Sequence, residues 1–413
     1  MATCEFPMPA SSPRLAMLLA ALAAIGPFAI DTYLPAFHAM AQALSATQLQ
    51  VQQTLTAYMA MFAVMALWHG ALADRFGRRV VIIVSTALFS VASLICALAT
   101  SIEWLWLGRA LQGMAGGAGM IVGRAVIRDL YDGTQAQRLM ARVTMIFGIA
   151  PAIAPLIGGA LLVLAGWRSI FLFLAVFSAL LVWMAWRHLP ETLAPEARQS
   201  LHPVKLGRAY LAVLTRGAFL LLSAALAMNF NGFFVYVLSA PEFLMNHLGL
   251  RETDFAWLFV PAVAGLVGGS MLSGRVAGRW TAMRCIGVGF AIMVLAAVAN
   301  VVHAALLPPA VPDSVLPVAL YTFGMALAMP SLTLLALDLF PARRGLASSC
   351  QSFMQVGVTA LTAGAIAPLL WATPLTLSAG MSGFLALGLL CFLAWQALGP
   401  GRATSDGGKQ PGA

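Results

Sequence analysis

Leu18-Leu19-Ala20-Ala21-Leu22-Ala23-Ala24-Ile25-Gly26-Pro27-Phe28-Ala29-Ile30-Asp31-Thr32-Tyr33-Leu34-Pro35 carries a single acid, Asp31, in an otherwise apolar run. About 20 residues, rising roughly 1.5 Å each, cross the hydrocarbon of a bilayer, so the run is long enough to span a membrane as a helix. A secretory signal has an apolar core of only about 7–15 residues and a small-residue cleavage site. This run is longer and ends in Tyr33-Leu34-Pro35. An ionised carboxylate inside a bilayer is expensive, and an acid kept there marks a proton or ion relay more often than a structural pairing. Asp31 is the first candidate site residue.

The rest of the chain has the same character. Of 413 residues, 61% are hydrophobic and 9% charged, against roughly 25% charged in a soluble protein, and the mean hydropathy is +0.90. Apolar stretches of spanning length recur at 14–37, 50–70, 80–100, 104–127, 139–163, 168–187, 217–240, 255–276, 282–305, 315–337, 345–370 and 374–398. They predict an all-α membrane protein of twelve transmembrane helices. The longest charged segment, 188–216, holds Pro190, Glu191, Pro195, Glu196, Arg198, Lys205, Arg208 and Arg216 and divides the spans six and six. The expected domains are an N-terminal six-helix bundle over 1–187, a cytoplasmic linker over 188–216, a C-terminal six-helix bundle over 217–400 and a disordered tail over 401–413.

The charges fix the expected orientation. With both termini in the cytoplasm, only Arg168 and Arg251 of the 23 basic residues fall outside, Arg109 and Arg124 lie within the fourth span, and the other 19 face inside. This is the positive-inside pattern. It accounts for the net charge of +9 without a nucleic-acid partner. All ten tryptophans fall at or near span ends, where indoles favour the headgroup level. The five cysteines (Cys4, Cys96, Cys285, Cys350, Cys391) have neither disulfide nor metal spacing. No G-x-x-x-x-G-K-[ST] loop and no H-E-x-x-H occurs, and the six histidines fall at span ends or in loops, so neither an ATP-driven machine nor a metalloenzyme is expected.

The most specific string is Gly70-Ala71-Leu72-Ala73-Asp74-Arg75-Phe76-Gly77-Arg78-Arg79. It suits a tight hairpin between two helices. Gly70 permits close approach, Gly77 permits a positive φ, and Asp74 can accept from basic side chains or a helix N-terminus. A degenerate copy, Ser273-Gly274-Arg275-Val276-Ala277-Gly278-Arg279-Trp280, lies 204 residues on, which points to two duplicated halves. Leu107-Gly108-Arg109-Ala110-Leu111-Gln112-Gly113 puts an arginine about six residues inside the fourth span, where it needs a partner, water or a snorkelling route to the interface. In the fifth span, Pro151 and Pro155 bend the helix while Gly158 and Gly159 allow close packing. Tyr33, Tyr58, Gln112, Asn229, Asn231, Tyr236, Tyr321, Gln351 and Gln355 are candidates to face a substrate cavity, about half of them serving only to join helices.

The hairpin string resembles motif A of the major facilitator superfamily, and the resemblance extends over nearly the whole chain. It implies that Gly70, Asp74, Arg75, Gly77, Arg78 and Arg79 form a conformational latch, with the aspartate pairing with loop arginines and with the start of the eleventh helix near Gly345. The second copy has Gly278 in place of the acid. Arg109 matches the family's motif B, and Asp31 and Arg109 are expected to pair across neighbouring first and fourth helices and to couple protons. Pro151 to Gly159 is similar to motif C of the antiporters, with Ala154 where the family has glycine. Gly26-Pro27…Asp31-Thr32-Tyr33-Leu34-Pro35, Arg124…Arg128-Asp129, Gly166-Trp167-Arg168…Phe171 and Leu189-Pro190-Glu191-Thr192 resemble the Bcr/CflA drug-resistance branch. The implied protein is a monomeric drug:proton antiporter of the bacterial inner membrane. It would work by alternating access, with no cofactor beyond the proton gradient and with protons, a small-molecule substrate and the bilayer as partners. An exporter of a metabolite such as an amino acid or nucleoside, and a receptor or assembly protein that has lost transport, are the alternatives.

Overall fold

The computed structural model describes residues 13–131, 133–198 and 203–399, and among these every regular element is helical. Twelve helices are long and apolar enough to cross a membrane: Leu15–Ala43, Gln48–Phe76, Arg78–Ala97, Ile102–Leu130, Gly148–Ala165, Trp167–His188, Gly217–Leu238, Ala256–Val276, Ala282–Leu306, Leu316–Asp338, Arg344–Leu369 and Pro374–Ala397. We number them as spans one to twelve. They fall on the twelve apolar runs with most ends shifted by three residues or fewer; the first and second spans end about two turns later than expected, and the fifth starts at Gly148 rather than 139. The expected tail over 401–413 lies outside the described residues.

Local sequence sets the ends. Thr47 caps the second span through a reciprocal box, its hydroxyl accepting from Gln50 N at 3.1 Å while Gln50 Oε1 accepts from Thr47 N at 2.8 Å. Thr373 and Thr376 open the twelfth span in the same way, with Pro374 at the first helical position. Gly77, at φ +102°, turns the chain from the second span into the third.

The chain divides into two compact units, Met1–Leu201 and His202–Ala413, and the boundary falls inside the expected linker. That segment is more ordered than its charge suggested, since Pro203–Leu214 is a helix. Leu206, Tyr210 and Val213 lie on its less exposed side, and it packs on spans seven and eleven.

The duplication read from the hairpins is also a duplication of packing. In the first unit spans two and four, three and six, three and four, and one and five pair; in the second, eight and ten, nine and twelve, nine and ten, and seven and eleven do the same. Each pairing recurs six spans on.

Candidate functional site

The first span breaks at its acid. The helix Pro13–Asp31 ends there, Thr32 and Tyr33 bend, Leu34–Ala36 makes one 3₁₀ turn, and a new helix runs Phe37–Ala43. Pro35 accounts for the stop, because it lacks an N–H and its ring would clash with the carbonyl four residues back, that of Asp31. The last carbonyls of a helix have no intrahelical partner. That of Ala29 is one of them, and Arg109 Nη1 donates to it at 3.0 Å.

Arg109 is wholly buried. Its guanidinium lies between two rings, 4.3 Å from the centroid of Tyr33 and 4.5 Å from that of Tyr58. A desolvated cation–π contact contributes about 2 kcal/mol, so the pair of rings offsets part of the cost of burying the charge. Nη1 also donates to Gln112 Oε1 at 2.7 Å, and Gln112 Nε2 donates to Ser93 Oγ at 2.7 Å. Tyr33 is held in turn by a 3.3 Å hydrogen bond between its hydroxyl and that of Thr54.

Spans one to four thus all supply a group to this centre. The fifth closes on it through glycine: a Cβ at Gly158 would overlap the carbonyl of Thr32, next to Asp31. Gly113 and Gly119 do the same for the fourth span, against the carbonyls of Tyr58 and Leu22. Pro151 and Pro155 lie inside the fifth helix, about two turns and one turn before this contact, and Gly159 is buried beside Gly158.

The expected charge pairing is corrected. Asp31 and Arg109 do not form an ion pair; the four ion pairs among the described residues lie elsewhere. The reason is the helix break, which offers the guanidinium a carbonyl, while Gln112 and the two rings occupy much of its remaining surface. Asp31 is 3% exposed and its Oδ1 has no hydrogen-bond partner; neither do Nε and Nη2 of Arg109. An acid and a cation are buried in one bundle, each with polar atoms still to satisfy.

The hairpin forms a second centre. Arg78 bridges two acids, pairing with Asp74 across the Gly77 turn and, through Nε at 3.3 Å, with Asp129 Oδ2 at the end of the fourth span. Arg79 Nη2 donates to the Trp186 carbonyl at 2.6 Å. Arg75 is exposed and lies over the ring of Phe76. Gly70 makes no close approach, contrary to expectation, since a Cβ there would meet open space. His69 is also not at a span end: the second helix continues to Phe76, and His69 is buried within it beside Gly117, where the fourth span breaks between Gly116 and Ala118. Sequence reasoning gave no role to Asp129, Glu191 or Thr192. The available signal was an acid or hydroxyl placed just beyond a span end.

The cavity candidates divide. Tyr33, Tyr58 and Gln112 surround Arg109. In the second unit, Tyr321 donates to the Asn229 carbonyl at 3.1 Å, Asn231 Nδ2 to the Ala227 carbonyl at 2.9 Å, and Asn300 Nδ2 to the Tyr236 hydroxyl at 2.7 Å. Gly232 leaves room for the Tyr321 hydroxyl and Gly388 for the Asn229 carboxamide. Gln351 is buried and Gln355 half-buried. Asn300, which sequence reasoning missed, was visible only as one amide in an apolar helix. With Tyr236, Phe243, His303 and Ser314 it lines a cavity of about 70 Å³.

Comparison with known proteins agrees with this architecture. Residues 17–363 match the model of the Major Facilitator Superfamily. The multidrug resistance protein D of Escherichia coli (strain K12) is 28% identical, over 92% of this chain and 95% of that one. The uncharacterized MFS-type transporter YdgK of Bacillus subtilis is 35% identical, over 64% of this chain and 66% of that one. The bicyclomycin resistance protein homolog of Haemophilus influenzae is 27% identical, over 68% and 70%. Among solved structures, a bacterial homolog of the human lysosomal transporter Spinster, inward-facing and occupied, superposes with a TM-score of 0.71 over 98% of this chain and 100% of that one; at 16% identity it speaks for the fold alone. Twelve spans in two six-helix repeats, the hairpin string and the family match together place the chain in the major facilitator superfamily of membrane transporters, with the Bcr/CflA branch that its motifs resemble represented among its relatives.

Proposed function

We propose that the chain exports small drug-like molecules across the bacterial inner membrane in exchange for protons, by alternating access and as a monomer, with both termini in the cytoplasm. The observation that carries this reading is the unpaired Asp31, buried in the same bundle as an arginine that has spare donors. The names of the relatives, which include multidrug, bicyclomycin and chloramphenicol resistance proteins, support the substrate class. The predominance of arginine and lysine in the loops assigned to the inside supports the orientation.

The chemistry follows from two arrangements of one guanidinium. While Asp31 carries a proton it is neutral, and Arg109 rests on the Ala29 carbonyl between the two tyrosine rings. When the proton leaves, the carboxylate becomes the stronger acceptor, because a charge-assisted bond outweighs one to a neutral carbonyl. Arg109 then turns its free Nη2 and Nε toward it. A substrate that binds the ionised state better than the protonated state releases the proton inside; protonation from outside releases the substrate. By linkage, the two ligands compete to the same extent in both directions.

The test is substrate-induced proton release from purified protein in detergent, wild type beside Asp31→Asn, across a panel of amphenicols and other drugs. Release that disappears in the variant supports antiport through Asp31. Drug binding without release from the wild type would overturn it.

A further inference from the structure

Glu191 follows the sixth span in Leu189-Pro190-Glu191-Thr192. Its Oε1 accepts three backbone N–H groups, from Arg78 at 2.9 Å, Thr192 at 3.0 Å and Leu193 at 3.1 Å. The Arg78 N–H opens the third span, where the first-turn donors have no partner within the helix. The carboxylate therefore caps that helix from 113 residues away and faces the positive end of its dipole. Its Oε2 lies where a Cβ on Gly77 would be. Gly77 is thus held to glycine twice over, by its φ of +102° and by the carboxylate seated against it.

The next residue completes the arrangement. The Thr192 hydroxyl donates to Asp129 Oδ2 at 2.8 Å, the same oxygen that Arg78 Nε reaches at 3.3 Å. The segment leaving the sixth span therefore grips Arg78 at both ends, its backbone through Glu191 and its side chain through Thr192 and Asp129. Five residues before Glu191, in the sixth span, the Trp186 carbonyl is also tied to the hairpin, accepting from Arg79 Nη2. The head of Arg78 is what joins Asp74 to Asp129.

We propose that Glu191 and Thr192 are positioning residues of the hairpin latch. They hold Arg78 in the pose that bridges Asp74 and Asp129, and so set how readily the hairpin opens. The chain passes from Thr192 into the segment that leads out of the first unit, so a pull on that segment acts directly on the start of the third span. The effect on turnover rests on the export reading above; the effect on hairpin opening does not.

The experiment pairs hydrogen exchange of the peptide covering 77–82 with drug–proton exchange in proteoliposomes, for wild type, Glu191→Ala, Glu191→Gln and Thr192→Val. Glu191→Ala should speed exchange at the first amides of the third span by about five- to tenfold, the size of losing one helix cap. Its maximal export rate should fall about as much, with KM within roughly twofold, because only the opening equilibrium has changed. Glu191→Gln keeps an acceptor oxygen but not the charge, and should recover part of both effects. Thr192→Val should slow export by about two- to threefold, as expected for one lost hydrogen bond, with amide exchange near wild type. Faster amide exchange with an unchanged export rate would reduce Glu191 to a cap and overturn the proposal, as would unchanged amide exchange. If the wild type exports no drug while Glu191→Ala still loosens the hairpin, the positioning role stands and the export reading fails.

Discussion

The two bundles share a packing plan and differ in what they bury. Among the described residues, the first unit encloses Asp31, His69 and Arg109, whereas the buried polar side chains of the second are all uncharged: serines, threonines, Asn229, Asn231, Asn300, Gln351 and tyrosines. Glycine is common to both: backbones meet at Gly113, Gly119 and Gly158 in the first unit and at Gly265, Gly269 and Gly289 in the second. The hairpins differ. The first has Asp74 and closes on Arg78, while its copy has Gly278 at φ +75° in the acid's place, and the helix before it ends at Val276, one turn early in the aligned register. Duplication supplied the frame twice and the ionisable chemistry once, so removing a charge from the first bundle should cost far more than removing a polar group from the second.

The largest effect is expected at Asp31. In proteoliposomes with an imposed pH gradient, Asp31→Asn should lower proton-driven drug accumulation by about two orders of magnitude or more, the usual scale for removing an essential proton carrier. Protein yield should be unchanged, since asparagine keeps the volume and cannot carry the charge. Accumulation near the wild-type level would move the proton site elsewhere and remove the main contrast between the bundles.

Arg109→Lys tests how the charge is held. Lysine keeps the cation but not the planar face that lies between Tyr33 and Tyr58, nor the spare Nε and Nη2 donors beside the Nη1 that reaches Ala29 and Gln112. About a tenfold loss of export rate is expected, with the loss of one stacked contact as its physical scale. A fully active lysine variant would show that position of charge alone suffices. Next in size is Asp74→Asn, which leaves Arg78 with Asp129 as its one ionised partner. A fall in maximal rate of about three- to fivefold, with drug affinity retained, is expected from the loss of one partly exposed pair of about 1 kcal/mol. Equilibrium drug binding measured beside transport separates the two.

These contrasts were unequally legible. Asp31 and Arg109 stand out in the sequence because charge inside an apolar run is rare and costly, and Asp74 and Arg78 because an acid and a base flank the glycine of one short hairpin. What Arg109 binds could not be read, since it depends on a carbonyl freed by a helix break, and a backbone group has no letter in the sequence. Asp129 and Glu191 meet Arg78 from 51 and 113 residues away. Only the packing of the spans makes them neighbours. The helix Pro203–Leu214 was hidden for a different reason: Lys205 and Arg208 made its segment look like a solvated linker, although its apolar residues recur at helical spacing.

The smallest effect is expected at Tyr236→Phe in the second bundle. The Tyr236 hydroxyl accepts from Asn300 Nδ2 at 2.7 Å, and the amide's other contact is the thioether of Met381 at 3.8 Å. Phenylalanine fills the same space and leaves a buried donor with only sulfur, at a cost of about 1–3 kcal/mol in stability. The cavity of about 70 Å³ beside both residues lowers that cost, because it can admit a water to take over the hydroxyl's bond. A loss near 1 kcal/mol in thermal unfolding and an export rate within about twofold of wild type are therefore expected. A larger fall in export with stability retained would mean that a neutral group of the second bundle acts on the substrate directly. The division between a charged working half and an uncharged supporting half would then give way to two halves that share the work.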